Sequence, residues 1–250
     1  MTLTLMSYNI KDGGGARLAA IGRVIEGAGP DVVALQELRG EPALDAVTGM
    51  RQFVARSRWG QPVGLLVGRH LRVLGAGRVR RPWHHAAVWA RLATPIGALT
   101  VIGAHLSPYW GRVRRVEAGW LAAFMRRHRP AVLLADLNTL DPYTDHGLEV
   151  ARLPMPYRRR HVHGLAHRPD VRATALLARR GLVDVFHACG RGQPWTVPTT
   201  RGGGAEFTQM RLDYVLATPG VAGRFTECYA VTGGEAEAAS DHYPLVARAA

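Results

Sequence analysis

Several apolar runs in this chain end on residues that can hold a cation or a phosphate. "LTLMSYN" runs to Asn9, "DVVALQE" to Gln36 and Glu37, "ALTVIGAH" to His105, and "AVLLADLN" to Asp136 and Asn138. Asp213 lies inside "RLDYVL", and Asp241–His242 precedes the last run, "YPLVARA". Polar groups at the strand ends of an α/β sheet commonly converge on one crevice. Glu37, Asp241 and Asn9 offer oxygen donors. No cysteine pair or HExxH pattern suits zinc, whereas hard oxygen ligands suit Mg2+ or Mn2+. Such an ion polarises a phosphoryl oxygen and offsets the charge that builds on it. His242 titrates in the range for proton transfer, or holds a phosphate oxygen as a cation. Asp213 is the carboxylate available to orient it. Asp136 can align or deprotonate a water. Asn138, two residues on and on the same face of an extended chain, can donate to the phosphate, and Arg112 can contact it. A Ser240–Asp241–His242 triad is a poor reading, because neighbours on a strand face opposite sides and a triad needs contacts in series.

The elements that must position these residues follow from the same runs. Short apolar stretches bounded by Gly, Pro or charge read as buried strands at 3–9, 31–37, 63–68, 86–92, 98–105, 131–138, 211–217 and 243–249. Helical spacing appears at 16–29, 113–128 and 171–181, the first and last ending in glycine. Strands and helices alternate in part, while some strands follow one another directly. This predicts an α/β fold with mixed sheets.

Composition bounds the rest. The chain has 250 residues and 47% hydrophobic content, enough for one domain over 1–250 with a sizeable core. Its Cys189 and Cys228 are far apart, which suggests a reducing compartment and no disulfide framework. The start, "MTLTLMSYNI", reads as a strand, not as a secretory signal. No apolar run approaches about 18 residues, the length of a membrane span. A cytoplasmic monomer is expected. The net charge is +13, and Lys11 is the sole lysine among 32 basic residues. Coding bias accounts for arginine over lysine but not for the excess over 19 acidic residues, so a polyanionic partner is favoured.

The ordered set "SYN", "LQE", "AHL", "ADLNT", "RLDYVL" and "SDHYPL" resembles the endonuclease/exonuclease/phosphatase superfamily, the DNase I-like proteins, over 7–247. The resemblance implies a four-layer α/β sandwich, with two packed mixed sheets and helices outside. It implies metal-dependent phosphoester cleavage by an in-line water. By that analogy Glu37 is the main metal ligand, with Asn9 and Asp241 nearby. Asp136 aligns the water, Asn138 and His105 face the phosphate, and Asp213 pairs with His242. It also requires a non-extended backbone at 240–242.

The chain departs from its relatives in places. Ala135 stands where glycine is usual, and Asp12 in "IKDGGG" has an offset that does not map onto a metal ligand. "QELRG" lacks the lysine of AP endonucleases, and "PTTRGGGAEFTQM" replaces their aromatic segment. The expected function is a Mg2+/Mn2+-dependent phosphodiesterase, a nuclease on DNA or RNA. The alternatives are a hydrolase of a small phosphorylated metabolite or lipid head group, and an inert nucleic-acid-binding module.

Other features receive plainer readings. The stretch 157–168, with His161, His163 and His167, reads as a solvated loop, or as one facing phosphate. Trp83, Tyr109 and Trp110 read as packing, while His84 or His85 could meet a phosphate. Arg114 and Arg115 read as a solvated helix face. The glycine runs at 13–15 and 202–204 lack the lysine of a phosphate-binding P-loop and read as flexible loops.

Overall fold

The computed structural model describes residues 2–41 and 43–250. Its strands, in chain order, are β1 (Leu3–Asn9), β2 (Val32–Gln36), β3 (Arg51–Ala55), β4 (Val63–Val67), β5 (Arg72–Arg78), β6 (Ala86–Thr94) and β7 (Gly97–His105). There follow β8 (Ala131–Asp136), the short β9 (Val162–His163) and β10 (Arg168–Pro169), β11 (Val183–Asp184), β12 (Asp213–Ala217), β13 (Phe225–Ala230) and β14 (Leu245–Ala249). One six-stranded sheet has the order β13-β14-β1-β2-β4-β3, and the other β11-β12-β8-β7-β6-β5. Each is mixed: β1 pairs parallel with β2 and antiparallel with β14, and β7 pairs parallel with β8.

The period-two alternation of strands explains the layers. Leu3, Leu5, Val32, Ala34, Val132, Leu134, Val215 and Ala217 fill the core between the sheets. Their neighbours on the same strands face outward. Met6, Tyr8, Val33 and Leu35 meet the helix Leu18–Ala28. Leu133, Ala135, Tyr214 and Leu216 meet the helices Gly111–Arg127 and Arg172–Arg179. The result is helix, sheet, sheet, helix: the expected four-layer sandwich. Continuing the inward series along each strand reaches Ser7 and Asn9 on β1, Gln36 on β2, His105 on β7, Asp136 on β8 and Asp213 on β12. The face between the sheets is therefore apolar along most of its length and polar at one end.

Arg114 overturns the solvated reading. It is fully buried, and its guanidinium donates to the carbonyls of Ser107 and Arg160 and to Asp170 Oδ2 at 3.4 Å. Arg172 secures the same Asp170 at 2.8 Å. His161 is only 3% exposed, so this end of the 157–168 stretch is packed down, while Leu165 and its neighbours are open to solvent. A helix residue thus anchors a distant segment through the Arg160 carbonyl and the Asp170 carboxylate.

Breaking this buried pair leaves Asp170 short of a cation. Arg114→Ala should lower unfolding stability by about 3 kcal/mol, read by urea denaturation; an unchanged midpoint refutes the anchor. Burial, with Arg114 and Arg160 adding repulsion, lowers the His161 pKa to about 3. Between that value and the unfolded value near ~6.5, the unfolded chain binds the proton and the folded chain does not. Stability is therefore lost as pH falls through this window. His161→Asn should flatten the decline in melting temperature across it, and an identical slope would refute the assignment.

Candidate active site

Register sets the centre of the site. Asp136 is the Cα partner of His105 on one side and of Asp213 on the other, so three inward-facing polar side chains lie abreast at the polar end of the second sheet. Asn9 comes across from the first sheet, and its Nδ2 donates to Asp136 Oδ2 at 3.0 Å and to Glu37 Oε1 at 3.2 Å. The chain bends at Asp241 and His242, as the resemblance required. His242 Nδ1 thereby reaches Asp213 Oδ2 at 2.8 Å, and its Nε2 lies 3.9 Å from Asp136 Oδ2. Ser240 fixes the bend: its Oγ donates to the Asn9 carbonyl at 2.6 Å and lies 3.3 Å from Asp241 Oδ1.

Two of these side chains leave their strands in the left-handed backbone region, Glu37 at φ +58° and Asn138 at φ +48°. Non-glycine residues there carry a strain cost that surrounding contacts must offset. Gly13 supplies one such contact, donating its N–H to the Glu37 carbonyl at 2.6 Å. A Cβ on Gly13 would lie 2.0 Å from the Arg39 carbonyl oxygen, and one on Gly202 would lie 2.1 Å from that of Ser240. Gly13 and Gly202 are thus packed against the site segments, while Gly15, Gly203 and Gly204 stay exposed.

Charge in the cluster is set by mutual contact. Burial opposes ionisation of Asp136, but the imidazoles of His105 and His242 and the Asn9 amide hold its pKa well below the usual carboxylate range. Burial also opposes a charge on His242, but Asp213 and Asp136 raise its pKa to about 10. His242 is therefore an imidazolium beside two acids. His105 Nε2 lies 2.9 Å from Asn138 Nδ2 and 3.3 Å from Asp136 Oδ2. Asn138 Nδ2 also donates to the Leu106 carbonyl at 3.1 Å. Burial opposes a charge on the His105 ring, but the Asp136 carboxylate beside Nε2 raises its pKa. One amide hydrogen of Asn138 is thereby engaged at Leu106, and the amide nitrogen lies against the His105 ring. The His85 ring stacks on His105 with centroids 3.9 Å apart.

The oxygen set lies on the Glu37 side. Glu37 Oε2 accepts from Gln61 Nε2 at 2.9 Å and from the Asp12 amide at 3.0 Å. Glu37, Asp241 and Asn9 fit a hard divalent cation by donor chemistry, and both free cysteines lie elsewhere. Asp136, Asp213 and His242 also offer ligand atoms within 4.8 Å of one another. However, the His242 nitrogen facing Asp213 is hydrogen-bonded, and an imidazolium does not ligate metal. The carboxylate side is the better fit. Asp12 instead pairs with Arg39 at 2.8 Å and is half exposed. Arg112 stands outside the cluster, on the exposed start of the helix Gly111–Arg127.

The endonuclease/exonuclease/phosphatase family model matches residues 6–242. The chain belongs to that family. No curated protein matches. Similar solved structures include a member of the family from Bacteroides thetaiotaomicron, 15% identical with TM-score 0.71, covering 99% of this chain and 94% of that one. A mannosyl-6-phosphatase of Bacteroides thetaiotaomicron VPI-5482 is 14% identical with TM-score 0.70 and 98% coverage of both chains. Truncated TDP2 of Caenorhabditis elegans is 15% identical with TM-score 0.66, covering 100% of this chain and 97% of that one. These likenesses establish the shared fold. They agree with the architecture built above from strand alternation, and the family's general use of divalent metals agrees with the donor set.

Sequence reasoning passed over Lys11, Gln61 and Ser240. The Lys11 ammonium lies 2.9 Å from Asp241 Oδ2 and donates to the Gly202 carbonyl at 3.4 Å. A single lysine beside "SYNI" was the one signal in the sequence. An ammonium there repels a divalent cation that shares Asp241. Lys11→Met should therefore tighten Mn2+ binding by about tenfold, read by titration calorimetry. Equal affinity would show that Lys11 swings clear when the ion binds.

Proposed function

We propose that the chain is a divalent-metal-dependent phosphodiesterase acting on nucleic acid. The observation that carries this reading is the buried group of Asp136, Asp213, His105 and His242 abutting the oxygen donors Glu37, Asn9 and Asp241. Glu37 and Asp241, with Asn9, would hold the ion, which polarises a phosphoryl oxygen when bound.

The chain's own residues supply the rest. Asp136, kept ionised, is the acceptor that turns a water toward phosphorus. His242, kept cationic by Asp213 and aimed by the Nδ1 hydrogen bond, donates through Nε2 to a phosphate oxygen and follows its growing charge. His105 and Asn138 fix the far edge of the pocket. Water is held back because these groups are nearly buried. The net charge of +13 favours a polyanion over a small sugar phosphate. The mannosyl-6-phosphatase shares the fold, and fold alone does not carry its substrate here.

The test is a substrate panel of plasmid, single-stranded DNA, RNA and p-nitrophenyl phosphate, each with Mg2+ or with EDTA. Nucleic acid should be cleaved with Mg2+ only. Intact polymers alongside hydrolysed p-nitrophenyl phosphate would instead favour a small phosphoester. Glu37→Ala should lose about a thousandfold in rate while its melting curve still shows a folded protein. A variant of undiminished rate would remove Glu37 from the chemistry, and a parent protein that binds the polymers yet cleaves nothing in the panel with Mg2+ would point to the inert module.

A further inference from the structure

We infer that the rim beside the catalytic cluster binds the unpaired bases of single-stranded nucleic acid, so that the substrate reaches the centre as a single strand. The inference rests on the nucleic-acid phosphodiesterase reading of the same site. The rim is reached through a ladder of rings. His105 stacks on His85, and His85 meets His84 edge-on at 4.7 Å. His84 in turn meets Tyr109 at 5.5 Å and Trp110 at 6.0 Å. His84 also fixes the opposite bank, since its carbonyl accepts from Ser57 Oγ at 2.8 Å, and Ser57 Oγ accepts from the Trp59 amide at 3.1 Å. The buried Glu117 takes the His84 N–H at 2.7 Å, which makes this hub rigid.

Around the hub stand large rings open to solvent. Trp59 is 64% exposed, Trp110 58% and Tyr109 49%. The packing reading of Tyr109 and Trp110 is thereby corrected. Each bank is cationic. A cleft of about 320 Å³ is lined by Arg58, Arg78, Arg80 and Arg81 with Trp59 and His85. A second, of about 580 Å³, is lined by Tyr109, Trp110, Arg112, Arg159 and His163. Among the described residues, no carboxylate lines either cleft. Guanidinium groups already lie against two of the rings, Arg58 near Trp59 at 5.9 Å and Arg160 near Tyr109 at 5.5 Å.

Aromatic faces interleaved with arginines suit a strand whose bases are splayed out, because rings take base faces and guanidiniums take phosphates. A duplex offers base edges in its grooves and keeps the faces stacked. A small phosphoester has no bases to meet rings so far from phosphorus. Arg112, placed on the rim, fits a backbone phosphate beyond the scissile one.

Fluorescence anisotropy with labelled oligothymidylate, the same strand annealed to its complement, and an abasic strand of equal length tests the rim in EDTA. The single strand should bind tightest. Trp59→Ala and Trp110→Ala should each weaken it about tenfold, with recovery in Trp59→Phe and Trp110→Phe, and without effect on the abasic strand. Equal affinity for single strand and duplex, or alanine variants that bind oligothymidylate as the parent does, would overturn the inference. Cleavage with unchanged variant binding sinks the rim and spares the nuclease; ring-dependent binding with no cleavage in Mg2+ sinks the nuclease and upholds the rim.

Discussion

An ionised carboxylate at the inner end of a sheet sandwich is costly unless several partners hold it. Asp136 is that group. Its oxygens meet the Asn9 amide from the facing sheet, His105 from the adjacent strand, its own chain's amide at Asn138, and more distantly His242 from the bend after Ser240. The partners come from segments far apart in sequence. The charge thus does at one end of the sheets what apolar side chains do along the remainder: it fixes how they face each other. The same arrangement sets Glu37 and Asp241 nearby, where Asn9, Gln61 and the Asp12 amide engage the first and Lys11 and Ser240 the second.

The central strands were legible because both of their faces are buried, and a continuous apolar run signals that condition. Those the runs did not show are edge or near-edge strands. β3 and β13 border the first sheet, and β5 and β11 border the second. β5, "RVLGAGR", alternates between exposed and half-buried along its whole length, so it carries no apolar run. Its Gly77 lies under Trp89, where a Cβ would come within 3.3 Å of the ring nitrogen. Edge strands are kept short, charged or irregular, which is the pattern that hides them from a reading based on hydrophobicity.

Within the site, residue type together with position at a strand end identified the carboxylates, amides and imidazoles that the fold gathers. The supporting contacts were less legible. Gln61 reaches Glu37 from a loop with no motif around it, and the stack of His85 on His105 depends on pairing between β6 and β7. Arg114 misled because a charge on a helix is normally solvated; here the segment 157–170 folds over it and supplies a carbonyl and a carboxylate. Tyr109 and Trp110 misled in the opposite sense. Large rings usually pack, yet here the helix begins at Gly111 and leaves them on the outside.

The nearly complete replacement of lysine by arginine has a chemical consequence. Apart from the chain's own amino terminus, the only primary amine belongs to Lys11, 40% exposed at its side chain and hydrogen-bonded beside Asp241. Reagents that acylate amines and spare guanidiniums therefore address one side chain, and it lies within the site. A fluorophore or crosslinker attached in this way would report on whatever enters, with no cysteine engineered and no background from other side chains.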